Sequence, residues 1–211
     1  MWSLFAKARL TMAFVPHTLA GLYVPSDSPL FLALLGIHVI AALAALVAGI
    51  VAMLSTKRSG RHPRFGTVYY WCLGVVFLTA TGLAIVRWSE DAYLFFLGAG
   101  SFSAGTLARG ARRGRWHWWV PIHISGMGLS YTLMVIAFYM DNGKQLPVWK
   151  DLPSITYWAV PSTVGVPLIA WALFRYRGIP ANIDSQVETS VGEPERTFLS
   201  EPGKRADGHR R

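Results

Sequence analysis

The stretch LFLALLGIHVIAALAALVAGIVAML occupies residues 30–54 and contains no charged residue. A helix needs about 20 mostly apolar residues to cross roughly 30 Å of hydrocarbon, where its backbone polar groups must be satisfied within the segment. This stretch therefore predicts a transmembrane helix. The whole chain has the same character, because 53% of its 211 residues are hydrophobic and only 15% are charged. Since soluble domains carry about 25% charged residues, the composition predicts a membrane protein and excludes an ordinary soluble enzyme.

Four further stretches also lack Asp, Glu, Lys and Arg, namely residues 65–86, 92–108, 116–140 and 154–174. The stretch 92–108 is the shortest of the five. All charge is thereby confined to connections and ends, as the high cost of a charge at the bilayer centre requires. The sequence predicts an all-α fold, an integral membrane bundle of five transmembrane helices over residues 30–176.

Basic residues concentrate in the first and third connections, whereas the second and fourth connections carry both signs. Under the positive-inside rule the two basic connections face the cytoplasm. Five spans then place the C-terminus in the cytoplasm too, and we expect the protein in a bacterial inner (plasma) membrane. The net charge of +9 is thus a topology signal, and no nucleic-acid partner is expected because no recognition motif accompanies it. The basic residues of the first and third connections are Lys57, Arg58, Arg61, Arg64, Arg109, Arg112, Arg113 and Arg115.

The two ends of the chain differ from the predicted bundle. Residues 10–24 form an apolar run that Pro16 and His17 interrupt. At this length the run fits an interfacial or re-entrant helix, or a short sixth span, and we favour a membrane-associated segment over residues 1–29. Residues 177–211 are poor in apolar side chains and rich in polar ones, which predicts a disordered cytoplasmic tail.

Histidines are the main candidates for ligand binding, because no acidic residue enters a span and no phosphate loop, zinc-protease motif or nucleophile elbow is present. His38 and His123 lie inside the first and fourth predicted spans. Helical steps of three and four from each of them reach small residues, so both are predicted to face the bundle interior. His62 and His117 lie at the cytoplasmic ends of the second and fourth spans.

Inward imidazoles predict either haem b ligation or simple hydrogen bonding between helices. His38 and His123 differ in depth by more than ~10 Å, too far to share one iron. A haem would need His38 with an outer residue such as His17, or His123 with His62 or His117. A proton- or substrate-handling role is the third possibility for these side chains. The candidate haem or quinone contacts are therefore His38, His62, His117 and His123, with no metal site and no catalytic residue assigned.

The basic residues Lys57, Arg58, Arg61 and Arg64 have two interpretations. Basic pockets at the cytoplasmic interface attract anionic lipid head groups or other anionic ligands. The alternative, which we favour, is that these side chains serve only to orient the protein in the membrane.

The stretch RHPRFGTVY at residues 61–69 follows a basic loop and an Ala-rich first span, and a further histidine lies in the fourth span. Over about residues 30–140 this arrangement resembles the bacterial predicted-membrane-protein family called domain of unknown function 2306. That family usually has a basic residue directly after the histidine, where this chain has Pro63. The resemblance implies a small multispanning membrane protein of unassigned activity, with three special positions, His38, His62 and His123.

These patterns favour a structural, assembly or accessory membrane subunit, since columns of small residues suit helix packing. Its expected partners are the lipid bilayer and other membrane subunits. The first alternative is a membrane redox protein linked to haem b or quinone. The second is a small transporter, for which Pro161 and Pro167 in the last span are the main indication.

Overall fold

The computed structural model describes residues 17–19, 22–24, 29–56, 60–86 and 88–176. Five long helices dominate it, and a 3₁₀ turn (Gly143–Gln145) continues the fourth. Each predicted span lies within one helix, except that the fourth helix begins three residues later, and the fifth helix one residue later, than the corresponding uncharged stretch. The prediction of a helical bundle is confirmed. The helices are α1 (Pro29–Leu54), α2 (Arg61–Val86), α3 (Trp88–Arg113), α4 (Trp119–Asn142) and α5 (Ile155–Arg175).

Two short strands, β1 (His17–Leu19) and β2 (Leu22–Val24), precede the helices and pair antiparallel. Both strands lie inside the predicted membrane-associated segment. A helix in that segment, whether interfacial or membrane-spanning, therefore does not include residues 17–19 or 22–24. The first 16 residues of that segment and the predicted tail, residues 177–211, lie outside the described residues.

Four helices, α1, α2, α4 and α5, are long and apolar enough to cross a membrane. The protein is therefore an integral membrane protein by the length and composition of its helices. Helix α3 is as long as α1, with 26 residues, but it is less apolar. Its middle is rich in Gly, Ser and Ala, and charged residues occupy its first and last turns.

Large and small apolar residues lie on opposite sides of α1. Ile40, Leu43 and Val47 are exposed, whereas Ala45 and Ala48 are buried. Lipid is as apolar as these side chains, so burying them gives no hydrophobic gain, and close contact between small residues brings membrane helices together instead. The pattern of α1 is thus that of a helix with one face toward lipid and one face toward its neighbours.

The helices pack as two antiparallel hairpins, α1 with α2 and α3 with α4; α2 lies beside α3, and α5 lies against α4. Four of the buried residues in the first helix of each hairpin form a matched column with spacings of four, four and three positions, while Ala48 in α1 and Ala111 in α3 are buried outside it. This match indicates that the hairpins are built alike. The corresponding residues are Ala41, Ala45, Gly49 and Ala52 in α1 and Leu97, Ser101, Gly105 and Ala108 in α3.

Polar contacts tie the hairpins together in the core. The Tyr69 hydroxyl lies 2.8 Å from Ser130 Oγ, and Ser101 Oγ donates to the Ser130 carbonyl at 2.7 Å. All three side chains are buried, so α2, α3 and α4 meet in one satisfied network. The Tyr131 hydroxyl donates to the Leu46 carbonyl at 3.3 Å, which links α4 to α1.

Candidate functional site

His62 and His123 meet at one end of the bundle. Their ring centroids are 6.3 Å apart and their planes are inclined at 84°. His62 lies in the first turn of α2 and His123 near the beginning of α4. The contact therefore also shows that α2 and α4 begin at the same end of the molecule.

A backbone carbonyl holds each of these two rings. His62 Nδ1 lies 2.8 Å from the Ala52 carbonyl oxygen, and His123 Nδ1 lies 3.1 Å from that of Ala108. A carbonyl can only accept, so in both rings the Nδ1–H donates. In the neutral ring the lone pair is then on Nε2, and this tautomer is the one in which histidines commonly ligate metal ions.

The two anchoring carbonyls occupy equivalent places in the two hairpins. Ala52 and Ala108 are the last members of the matched columns in α1 and α3, and both are buried; α3 continues with the buried Ala111. Each histidine thus bonds to the helix that precedes it in its own hairpin. The site is formed where two similarly built halves face each other.

Glycine and proline positions allow this geometry. A Cβ on Gly126 would lie 2.8 Å from the Ala108 Cβ and 2.9 Å from the Ala104 carbonyl oxygen, closer than side chains tolerate. Glycine there lets α4 approach α3 closely enough for the His123 bond. Pro63 and Pro121 lie in the first turns of α2 and α4. A proline is tolerated there because backbone N–H groups of the first turn have no partner within the helix.

His38 lies elsewhere in the bundle. Its Nδ1 is 2.9 Å from Thr79 Oγ1, whose hydroxyl is also within bonding distance of the Val75 and Val76 carbonyls. The distance along α1 from His38 to Ala52 is roughly 21 Å at ~1.5 Å per residue. His38 is therefore well separated from the His62–His123 pair.

The remaining predicted contacts are spread over the same end without joining the pair. His117 is exposed in the connection before α4, where its ring lies against Trp118 at 5.3 Å. Arg61 and Arg64 are exposed on the first turn of α2. Two further predicted anion-binding residues, Lys57 and Arg58, lie outside the described residues.

Charge is segregated between the two ends of the bundle. Helix α3 begins with Glu90 and Asp91 and ends with Arg112 and Arg113. The end that contains the histidine pair is consequently basic. Every Asp and Glu between residues 29 and 176 belongs to the opposite end; these residues are Glu90, Asp91, Asp141 and Asp151.

The donor set at the pair fits haem better than a protein-only metal site. Among the described residues no group of three or more His, Cys, Asp or Glu could hold a metal ion, whereas structural zinc takes four protein ligands. A porphyrin supplies four nitrogen donors itself and leaves the axial positions for the protein. With metal–nitrogen distances of about 2.0 Å, two imidazoles on one ion have centroids roughly 6 Å apart. The 6.3 Å between the His62 and His123 centroids matches this separation, and it is also that of an ordinary edge-to-face contact of two rings.

Sequence reasoning did not identify the anchoring residues Ala52, Ala108 and Gly126. Alanine and glycine carry no functional group, so only their spacing could have indicated a role. The matched columns in α1 and α3 were that signal, because a repeated column predicts a repeated contact at its end.

No family model matches this chain, and no curated protein or solved structure matches it either. The resemblance to domain of unknown function 2306 therefore stays a prediction. The functional argument depends on the residues and contacts of this chain.

Proposed function

We propose that this protein is a five-span membrane haem protein that binds about one haem b between His62 and His123 and transfers electrons. The observation that carries the proposal is the pairing of these rings, each oriented by a carbonyl bond from Nδ1. Such bonds fix the orientation of a ligand histidine and raise its basicity.

The direction of α2 and α4 supports a fifth span. Both helices begin at the end where His62 and His123 meet. If both cross the membrane, the chain must return between them, and α3 is the segment that connects them. Residues 92–108 of this helix carry no charge, so its middle can lie in hydrocarbon among α2 and α4.

The distribution of charge supports an orientation. Basic residues collect at the histidine end, which by the positive-inside rule would face the cytoplasm. Helix α5 runs from the opposite end toward this one and has Arg175 in its last turn. The C-terminus would then be cytoplasmic and the membrane a bacterial inner membrane.

The residues around His62 and His123 suit a bound haem. Haem b, when bound, supplies an iron that exchanges one electron. Phe65 and Met127, one turn beyond the two histidines, belong to the apolar core and would keep water from the macrocycle. Arg61 directly precedes His62, and a guanidinium at that position can bind a propionate carboxylate.

An absorption spectrum of the detergent-purified protein, expressed with a supply of haem, tests this proposal. We expect a Soret band, split visible bands on reduction, and about one haem per chain, as bis-histidine ligation requires. A colourless protein that copurifies with other membrane subunits would overturn the proposal and favour the structural or assembly role.

A further inference from the structure

Arg109 lies in a groove between α2 and α3, near the basic end of the bundle. Its guanidinium carbon is 4.7 Å from the centroid of the Tyr70 ring, and its Nη1 is 3.5 Å from Thr67 Oγ1. The Tyr70 hydroxyl is 3.3 Å from Thr106 Oγ1, which joins the two walls of the groove. Two residues of α2 thus hold the guanidinium of an α3 residue in one place.

Arg109 lies in a positively charged part of the described structure. Among the described residues no carboxylate approaches its guanidinium, because the acidic residues of this region lie at the other end of the bundle. Arg112 and Arg113, one turn further along α3, are close enough to repel it. Arg109, Arg112 and Arg113 are thus three like charges on one side of α3, and an anion bound among them would relieve their repulsion.

The wall below Arg109 indicates what kind of anion this is. Tyr70 stacks on Phe102 with centroids 5.7 Å apart, and its neighbour Trp71 is 65% exposed. These rings lead from the guanidinium toward the apolar middle of the helices. A ligand that suits the whole groove has an anionic head and a hydrocarbon chain.

We propose that Arg109, Arg112 and Arg113 bind the phosphate of an anionic phospholipid whose acyl chains lie along the Tyr70 and Trp71 rings. Basic pockets between helices at the membrane surface commonly bind lipid head groups. Tyr70 and Thr67 are positioning residues, since they hold the Arg109 side chain along the groove. The inference does not depend on haem.

Lipid retention on the purified protein tests the site. Phosphatidylglycerol is titrated into the detergent-solubilised protein, and retained lipid is counted by native mass spectrometry. Phosphatidylcholine with identical acyl chains is the lipid control. We expect preferential retention of phosphatidylglycerol and, in Arg109→Gln, affinity weaker by roughly fivefold or more, as expected for loss of one cation at the membrane surface.

Arg115→Gln is the matched control, because Arg115 is an exposed arginine in the connection after α3 and its loss changes the net charge equally. We expect its affinity for phosphatidylglycerol to stay within about twofold of the wild type. The double variant Arg112→Gln, Arg113→Gln removes two exposed side chains and gives a second test if Arg109→Gln does not fold. It should also weaken retention.

Three results would overturn the inference. They are equal retention of the two lipids, an equal loss in Arg115→Gln, and full retention by the double variant. Competition by inorganic phosphate at low millimolar concentration would assign the site to a free anion instead. Haem content, measured on the same samples, should not change with Arg109→Gln, so failure of this site and failure of the haem site are distinguishable.

Discussion

The bundle holds histidines in two different ways. At the basic end, His62 and His123 face each other, and each ring is fixed by a backbone carbonyl. In the other half of the bundle, His38 contacts α2 through the Thr79 hydroxyl and the Val76 carbonyl. The comparison teaches that an inward histidine in a membrane helix is not by itself a site. Two rings that converge form a candidate ligand pair, whereas a single ring bonded to one neighbouring helix joins two helices.

The largest expected effect comes from removing one member of the converging pair. If haem binds as proposed, His123→Ala should lose most of it, because only one of the two imidazoles that would hold the iron remains. His62→Ala should behave alike. The measurement is haem per chain from the pyridine-haemochrome spectrum of the purified protein.

His38→Ala and His117→Ala are the matched controls for that comparison. Both remove a histidine of the same chain, but neither ring lies in the pair. Each variant should keep its haem. Loss of the Soret band in His38→Ala together with its retention in His123→Ala would reverse the assignment.

The second effect concerns how α4 approaches the pair. Gly126→Ala places a methyl group 2.8 Å from the Ala108 Cβ and 2.9 Å from a backbone oxygen. Overpacking of this kind costs typically ~1–3 kcal/mol. To make room for the methyl group, α4 must move away from α3, and this movement also pulls His123 away from the Ala108 carbonyl. Thermal stability and haem retention should therefore fall together.

Gly36→Ala is the control for this prediction. It makes the same substitution in α1, where a Cβ would meet nothing within 4 Å. We expect a melting temperature equal to or slightly above that of the wild type. Equal destabilisation by both variants, measured by size-exclusion chromatography after heating, would argue against the close α3–α4 contact.

A smaller effect is expected in the buried polar network between the two histidine regions. Tyr69→Phe removes the hydroxyl that contacts Ser130 and keeps the ring. The free energy of unfolding should fall by about 1 kcal/mol, the usual net contribution of one hydrogen bond. Haem content should stay unchanged, and chemical denaturation in detergent measures the difference. A change in the Soret band would mean that this network reaches the site.

The smallest effect belongs to the His38 region. Thr79→Val keeps the shape of the side chain but removes the hydroxyl beside His38. Hydrogen bonds between membrane helices contribute about 0.6 kcal/mol on average. We therefore expect the free energy of unfolding to fall by about that amount, with no change in the absorption spectrum. A loss several times larger would show that His38 does more than join α1 to α2.

The sequence predicted the helices well because an uncharged run of sufficient length has few other structures available in lipid. It did not separate α3 from the others, since the test applied was absence of charge, and Gly, Ser and Ala pass that test while adding little hydrophobicity. The residues 116–118 were included in a span because tryptophan and histidine are uncharged, although they form the turn before α4.

The site was predictable in part. Depth arithmetic along the helices separated His38 from His123 and left His62 and His117 as partners of His123. The choice between those two depends on where α4 begins, which hydropathy does not determine. His117 falls before the first turn of α4 and is exposed, whereas His62 lies within α2 and faces the core.

Electron paramagnetic resonance of the oxidised, purified protein tests the central claim most directly. Two axial imidazoles give low-spin ferric haem, and planes inclined at 84° predict the strongly anisotropic low-spin signal of perpendicular ligands. A high-spin signal, or no ferric haem signal at all, would contradict ligation of one haem by His62 and His123.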